Sequence, residues 1–555
     1  MSKTSPLPRR RGVAAIAIAV AATLGLSACS SGSSAGSDDL GKPQAGGTLK
    51  IAFWPDNAAF SCVDPFQTYW IEHRTVIRNL ADSLTDQDPE TGEITPWLAD
   101  SWEISPDGKT YTFRLRDGVT FSDGSPVDAA AIKGNVDGWL ETVKATSGAA
   151  FGSSYVLGLE SAEVVDPLTV TLSFSAPNSS FLQATSTTNL AIVQPDAFSR
   201  TPEQRCLGEY VASGAFTLDS YKPNELLTIS KRPGYAWGSS LSKNTEEAYL
   251  DTVEFSYVAE DSVRTGNLVS GAVDIAWPRN PFTVEDRELI EASDATVEAR
   301  SLPGVSSSYF PNVAEGKVLS DPTVRQAVIK ALDLESYAST IYGDDYPVVG
   351  GAFDETTPYY VSQADKLAFD QAGAEKLLDA AGWTVGEGGY RFKDGKKLTL
   401  QNLVQVSTPG DELIQDQLKQ VGIDFVIDVV PAAERPAAIA NGDYDLVGTY
   451  FTRADPGALQ FILDPDLANS KALAVNSSTP ETLAEIKDLF ATAAQTTDDA
   501  VSKQAYDELQ SLLVDEGVTI PVFERVQYAG VSNTVGGFAF TSESFLKLND
   551  VWKKQ

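Results

Sequence analysis

Residues 96–129 read PWLADSWEISPDGKTYTFRLRDGVTFSDGSPVDA. Two runs within this stretch, 102–104 and 111–115, have strand composition, and 105–108 between them has the composition of a turn. Apolar and polar residues alternate along the second run, so one of its faces is expected to be buried. The stretch therefore predicts an antiparallel hairpin that covers a hydrophobic core.

Two Asp-Gly pairs, Asp107-Gly108 and Asp123-Gly124, mark the turns of this stretch. Glycine adopts positive φ without steric cost, so both pairs are predicted to be tight turns. The large apolar side chains around them are expected in the core: Trp97, Leu98, Trp102 and Phe121.

Helix and strand patterns alternate on both sides of the stretch, which places the chain in the α/β or α+β class. Before residue 300, strands are predicted at 48–53, 168–174, 216–221 and 226–230, and helices at 69–80 and 128–140. After it, helices dominate, at 322–332, 366–380, 412–420, 481–492 and 502–513, with short buried strands at 425–430 and 445–449. A domain boundary near residue 300 follows from this change.

The N-terminus has the layout of an export signal. Lys3 and three arginines at 9–11 precede an uncharged apolar run at 12–28, which ends in Leu26-Ser27-Ala28-Cys29. This order is typical of a lipoprotein signal peptide at 1–28, with Cys29 lipidated and anchored to the cell membrane. Residues 29–47, rich in Ser and Gly, are predicted to be a flexible tether. The alternative is an ordinary cleaved signal.

Composition limits the function further. The chain has 555 residues and a formal net charge of −34, so two or three lobes are expected and nucleic-acid binding is disfavoured. Besides Cys29, only Cys62 and Cys206 remain. Because an exported protein lies in an oxidising compartment, we predict a disulfide between them; two separate buried thiols are the alternative.

Residues 96–129 closely resemble the signature of the family 5 extracellular solute-binding proteins, which include oligopeptide-, dipeptide- and nickel-binding proteins. Three further segments match in the same order: GAVDIA at 271–276, DPTVRQA with ALD between 321 and 333, and NGDYDL at 441–446. The resemblance spans about residues 47 to 530.

The resemblance implies an α/β, periplasmic-binding-protein-like fold, with two lobes built from three domains and a ligand cleft between them. Domain I would be discontinuous, at 48–80, 205–300 and 525–555, with domain II at 81–204 and domain III at 301–524. It further implies a monomer that closes on a small ligand, most simply an oligopeptide or dipeptide, and delivers it to the permease subunits of an ABC transporter.

The segment 450–456, YFTRADP, supplies candidate ligand contacts in Tyr450, Arg453 and Asp455. In peptide-binding members of the family, the equivalent segment carries an aspartate that pairs with the α-ammonium group of the ligand. Asp455 occupies the matching place, and a carboxylate suits that role. Arg453 neutralises Asp455 or binds a ligand carboxylate itself. A helix-capping Asp with a surface Arg is the structural alternative.

Aromatic side chains are the second set of candidates, because they provide contact area at little entropic cost. Those expected in the cleft are Trp54, Trp277 and Tyr309.

No cofactor, metal site or enzymatic activity is predicted. His73 is the only histidine, which leaves a metal site poorly supported, and the GxSxG match at 32–36 lies in the tether without strand or helix around it. The alternatives are a ligand-binding sensor lipoprotein or a secreted hydrolase. Alternative ligands are a nickel chelate, a sugar or another small solute.

Overall fold

The computed structural model describes residues 41–55, 61–467 and 470–555. The predicted signal peptide, the predicted lipidation site Cys29 and residues 29–40 of the predicted tether lie outside these residues. Within the described part of the chain, no helix combines the length and the apolar character that crossing a bilayer requires.

Three main sheets form two lobes. The first is seven-stranded, and its strands in spatial order are Ala295–Ser301, Val526–Ser532, Ile275–Trp277, Thr48–Phe53, Thr252–Tyr257, Leu226–Lys231 and Phe216–Lys222. Thr48–Phe53 runs parallel to both of its neighbours. Its apolar residues Leu49, Ile51, Ala52 and Phe53 are fully buried, as expected for a central strand covered on both faces.

The second sheet contains the predicted hairpin. Its four antiparallel strands are, in order, Ala99–Ile104, Thr110–Leu115, Thr169–Phe174 and Leu159–Asp166. Gly108 and Gly124 have φ of +66° and +87°, which confirms both predicted glycine turns. Trp97, Leu98 and Phe121 are buried as predicted, and Trp102 is half-buried and packs against the same core.

The third sheet has five strands, in the order Asp424–Val429, Thr399–Val404, Leu446–Thr452, Gly304–Pro311 and Ile520–Phe523. The first three are mutually parallel, and the last two are antiparallel to their neighbours. Smaller strands pair as Thr85–Gln87 with Ile94–Pro96, as Thr384–Val385, Arg391–Lys393 and Lys396–Lys397, and as Val535–Gly536 with Trp552–Lys553.

We call the first and second sheets with their helices lobe 1, and the third sheet with its helices lobe 2. The α-helices of lobe 1 are Ile71–Leu80, Ala129–Ala145, Phe181–Ala184, Pro202–Cys206, Asp261–Val269 and Val284–Glu291. Those of lobe 2 are Pro322–Ala331, Leu334–Tyr342, Gln371–Ala380, Pro409–Gln420, Arg435–Asn441, Gly457–Leu463, Ala474–Ser477, Pro480–Ala494 and Asp499–Asp515.

Most predicted elements are confirmed, and the helices differ chiefly at their ends. The helix predicted at 366–380 begins at Gln371, because the side chain of Asp370 accepts a hydrogen bond from the backbone N–H of Gly373 and caps it there. The helix predicted from 69 begins at Ile71, after an extended Trp70.

The chain crosses between the first and third sheets twice. The strand Ala295–Ser301 is followed by Gly304–Pro311, and Ile520–Phe523 is followed by Val526–Ser532. Leu302-Pro303 and Glu524-Arg525 are therefore the two connections at which one lobe passes into the other. The strands of the first sheet come from three separate parts of the chain, at 48–53, 216–301 and 526–532.

Cys62 and Cys206 form a disulfide across 144 residues of sequence. Beside it, the backbone N–H of Val63 donates to the carbonyl of Cys206 at 2.9 Å, and Arg205 pairs with Asp64 at 2.5 Å. The bridge thus fastens the segment after the first strand to the helix Pro202–Cys206.

Candidate functional site

Arg453 and Asp455 follow the strand Leu446–Thr452 and form a buried ion pair with each other. The second carboxylate oxygen of Asp455 accepts a hydrogen bond from the backbone N–H of Gly457 at 2.8 Å, at the start of the helix Gly457–Leu463. Only 1% of Asp455 is exposed. Both of its oxygens are therefore occupied in this structure.

The same pair contacts lobe 1. Arg453 Nη1 lies 3.2 Å from Ser154 Oγ, and its guanidinium carbon lies 4.0 Å from the centre of the Tyr155 ring. Next to it, Gln87 Nε2 donates to the carbonyl of Ala454 at 3.2 Å. The segment around Asp455 is thus a contact between the lobes, and its role as a ligand contact stays a prediction.

Two of the predicted cleft aromatics lie in the core, which differs from the expectation. Trp277 is fully buried in an inner strand of the first sheet, with its ring 6.3 Å from that of Phe53. Tyr309 is 7% exposed and packs beside Phe425 within lobe 2. Both side chains point into the packed layer beneath their sheets. The presence of an aromatic residue in the sequence does not reveal this direction. Trp54 is half-buried under Arg264, with 5.2 Å between the guanidinium and the ring.

Tyr450 occupies a different position, because 47% of it is exposed. The guanidinium of Arg525 lies 5.2 Å from its ring centre. Opposite it in lobe 1 is Tyr69, which is 37% exposed and packs on Trp70 and Phe151. Neither tyrosine hydroxyl makes a hydrogen bond to the described residues, so both are available to a ligand.

Tyr69 marks the place where the two lobes face each other. Its ring lies 6.4 Å from that of Phe451 in lobe 2. Burial among surrounding atoms and the nearby Tyr450 phenol raise the pKa of Tyr69 to about 12, so it donates a hydrogen bond at neutral pH. Tyr69 thus keeps accessible surface although many atoms surround it, which is typical of a side chain that lines an internal cleft.

Lys471 lies on the lobe 2 side of this cleft. Its ammonium group donates to Thr449 Oγ1 at 2.5 Å, and the Tyr450 carbonyl lies 3.5 Å away. Although Lys471 keeps accessible surface, desolvation of its ammonium group by the surrounding atoms, with smaller contributions from the charges of Arg435 and Arg525, lowers its pKa to about 7. Arg435, at the start of a helix, donates to the carbonyl of Gly448 at 2.9 Å, and its pKa is lowered by burial.

The lobe 1 side also carries a cation. The guanidinium of Arg279 lies 4.1 Å from the centre of the Trp70 ring, a cation–π distance. It is bound by both oxygens of Glu72, at 3.1 and 2.6 Å. We call the set formed by Tyr69, Trp70, Arg279, Arg435, Tyr450 and Lys471 the candidate cleft.

Buried charged side chains stabilise the second lobe connection, Glu524-Arg525. Arg525 forms an ion pair with Asp354 and donates to Thr452 Oγ1 at 2.6 Å and to the Pro303 carbonyl at 3.2 Å. It therefore ties both lobe connections to the strand that leads to Tyr450. Burial raises the pKa values of Asp354 and Glu524, because water no longer solvates their charged forms.

Of the candidate cleft, the sequence analysis predicted Tyr450 as a ligand contact and did not point to Tyr69, Arg279, Arg435 or Lys471. Tyr69 precedes a helix as one aromatic among many, and Lys471 stands in a loop without periodicity. No local signal separates them from surface residues.

No group of three or more side chains within 41–55, 61–467 and 470–555 could hold a metal ion. His73 is fully buried, and its Nε2 lies 2.9 Å from the Tyr221 hydroxyl.

Known proteins resemble this chain along most of its length. A family model described as bacterial extracellular solute-binding proteins, family 5 Middle, matches residues 93–469. The glutathione-binding protein GsiB of Escherichia coli is 25% identical over 502 residues, which cover 88% of this chain and 91% of that protein.

Solved structures match the same fold. NikA from Brucella suis, in complex with Fe(III)-EDTA, has a TM-score of 0.78 and 23% identity, and covers 92% of this chain and 100% of its own. An ABC transporter substrate-binding protein from Sinorhizobium meliloti has a TM-score of 0.70 and 26% identity, with 92% and 100% covered. The likeness extends over both lobes.

Proposed function

The chain belongs to the bacterial extracellular solute-binding proteins of family 5, and from this premise we propose that it captures a short peptide between its lobes and delivers it to the permease of an ABC importer. The observation that carries this proposal is the candidate cleft, where accessible Tyr69 and Tyr450 face each other from different lobes. A cleft closed by two walls buries most of a small ligand.

Closure is proposed to occur at the two lobe connections. Each is only two residues long, Leu302-Pro303 and Glu524-Arg525, and a few such positions suffice for hinge motion. The contacts of Arg453 with Ser154 and Tyr155 join the lobes next to the cleft. We propose that these contacts form on closure, so that the permease meets a distinct shape when ligand is bound.

The peptide class is supported by one relative. GsiB is named a glutathione-binding protein, and glutathione is a small peptide with two carboxylates. The two unpaired tyrosine hydroxyls suit such a ligand, because they hydrogen-bond to carbonyl and carboxylate oxygens.

The location is proposed from the N-terminus. The order of basic residues, apolar run and Leu26-Ser27-Ala28-Cys29 supports export, lipidation of Cys29 and anchoring to the cell membrane. The acyl chains would hold the protein beside its permease.

The test of this function is native mass spectrometry of the purified mature protein, followed by denaturation and weighing of any molecule released. A released peptide, or a peptide that raises the melting temperature in a solute screen, is the expected result. A released sugar or metal chelate would refute the peptide ligand, and no binder in a broad screen would refute the transport function.

A separate experiment addresses Asp455. Its two oxygens are held by Arg453 and Gly457, so we expect Asp455→Asn to weaken peptide binding by loosening the closed contact between lobes. The loss should then be equal for a peptide with a free N-terminus and for the same peptide acetylated, measured by calorimetry. A loss confined to the free N-terminus would instead show that Asp455 pairs with the ligand ammonium.

A further inference from the structure

The candidate cleft is positively charged, in contrast to the rest of the protein. The chain has a formal net charge of −34, with 76 acidic and 42 basic residues. A cleft in such a protein would be expected to contain carboxylates by composition alone. Lys471 and Arg435 nevertheless form no ion pair with any carboxylate of the described residues, and no carboxylate contributes to the pKa change of either side chain.

Each of the other cations that act on Tyr69 has a carboxylate partner: Arg74 pairs with Glu543, Arg279 with Glu72 and Arg525 with Asp354. The charge left over is therefore that of Lys471 and Arg435, both from lobe 2. Lys471 lies directly beside the accessible Tyr450, with 3.5 Å between its ammonium nitrogen and the Tyr450 carbonyl oxygen.

From these contacts we infer that the ligand of this protein carries a net negative charge, and that Lys471 selects it by pairing with a ligand carboxylate. This inference rests on the proposed function and adds the charge class of the ligand. The tyrosine hydroxyls of Tyr69 and Tyr450 supply hydrogen bonds to the same anion. Charge-assisted hydrogen bonds of this kind are about twice as strong as neutral ones.

The environment of Lys471 explains why an anion favours closure. Without ligand, desolvation by the surrounding atoms lowers the pKa of Lys471 to about 7, and among the described residues the only charges that contribute are those of Arg435 and Arg525, which lower it further. A ligand carboxylate supplies the missing opposite charge and restores the protonated form. A neutral ligand leaves the unfavourable charge in place, so closure around it is weaker.

The lowered pKa of Lys471 also predicts the direction in which stability and ligand-induced stabilisation change with pH. Between pH 7 and the ordinary lysine pKa of 10.5, the unfolded chain binds a proton that the ligand-free closed protein does not. The contribution of Lys471 to the stability of the free protein therefore rises with pH across this window. An anionic ligand keeps Lys471 protonated, so the stabilisation that it provides is largest near pH 7 and falls toward pH 10.

The experiment uses three tripeptides that differ only in the central residue: Ala-Glu-Ala, its nearly isosteric amide counterpart Ala-Gln-Ala, and Ala-Lys-Ala. Their affinities for the full mature protein are measured by calorimetry. We expect the acidic peptide to bind at least about tenfold more tightly than Ala-Gln-Ala, the size of one good charge-assisted contact. Ala-Lys-Ala should bind least.

Variants test whether the preference for the acidic peptide comes from Lys471 or from the overall charge of the protein. Lys471→Gln is expected to reduce the preference for the acidic peptide to about twofold or less, and Lys471→Arg to retain most of it. Lys503→Gln is the matched control, because Lys503 is an exposed lysine in the helix Asp499–Asp515 and forms no ion pair with the described residues. That control should keep the full preference. The pH dependence of the ligand-induced melting shift should disappear in Lys471→Gln and in Lys471→Arg, because neither new side chain titrates between pH 7 and 10, and it should persist in Lys503→Gln.

The outcomes distinguish the inference about ligand charge from the proposed peptide-binding function. If the neutral or the basic peptide binds as tightly as the acidic one, the charge inference is wrong while the binding function stands. If Lys471→Gln keeps the full preference, Lys471 is not the selecting residue. If no peptide binds and the native protein releases no anionic molecule, both the peptide function and the inference fail.

Discussion

The double variant Cys62→Ser with Cys206→Ser is expected to lower the free energy of unfolding by up to about 5 kcal/mol. The disulfide closes a loop of 144 residues, and the entropy that a bridge removes from the unfolded chain grows with loop length. This loop includes the second sheet, so the bridge also fixes where that sheet attaches to the first. Urea unfolding followed by tryptophan fluorescence and circular dichroism measures the change.

Reduction of the native protein is the matched control for the double variant. A reducing agent should destabilise the native protein by the same amount and leave the double variant unchanged, since it has no bridge to lose. The ion pair of Arg205 with Asp64 and the hydrogen bond from Val63 persist in both cases. Free thiols at both positions in the exported protein, or a loss below about 1 kcal/mol, would contradict the expectation.

Arg525→Met is expected to cost about 3–5 kcal/mol of unfolding free energy near pH 8, the usual effect of removing one partner of a buried ion pair. The change leaves the carboxylate of Asp354 buried without its cation and removes the hydrogen bonds of Arg525 to Thr452 and Pro303. Because these bonds hold both lobe connections, the variant should also lose ligand affinity.

The cost of Arg525→Met should depend on pH in a defined direction. Burial already raises the pKa of Asp354, and removal of Arg525 raises it further. As pH falls, Asp354 becomes protonated and no longer needs a cation, so the penalty is smaller at pH 5 than at pH 8. Unfolding curves at both pH values measure the difference.

Two further variants complete the Arg525 experiment. Adding Asp354→Asn should recover much of the loss, because the uncompensated charge is then gone. Arg200→Met is the surface control: its pair with Glu209 is 3.5 Å long and about half exposed on both sides, so its loss should cost less than about 1 kcal/mol. Equal costs for Arg525→Met and Arg200→Met would refute the structural role of Arg525.

The fold places one strand, Leu446–Thr452, so that its end meets lobe 1. Selectivity for charge then depends on which side chains surround that end, here Lys471 and Arg435.

The sequence by itself determined the local elements and the turns. The alternation along 111–115 and the Asp-Gly pairs at 107–108 and 123–124 are short-range patterns, and each depends on neighbours within a few residues. The hairpin, both positive-φ glycines and the central strand Thr48–Phe53 appear where these patterns predict them. The family resemblance then supplied the two-lobed arrangement.

Only the tertiary structure decided which side chains meet in the cleft. Tyr69 and Lys471 are about 400 positions apart in the chain, and nothing near either one encodes the other. The aromatic candidates also show that a strand in the sequence does not predict burial. Trp277 and Tyr450 both lie in strands, yet Trp277 is fully buried and Tyr450 is half exposed. Burial depends on the layer that covers a strand, and a sheet assembled from distant segments sets that layer.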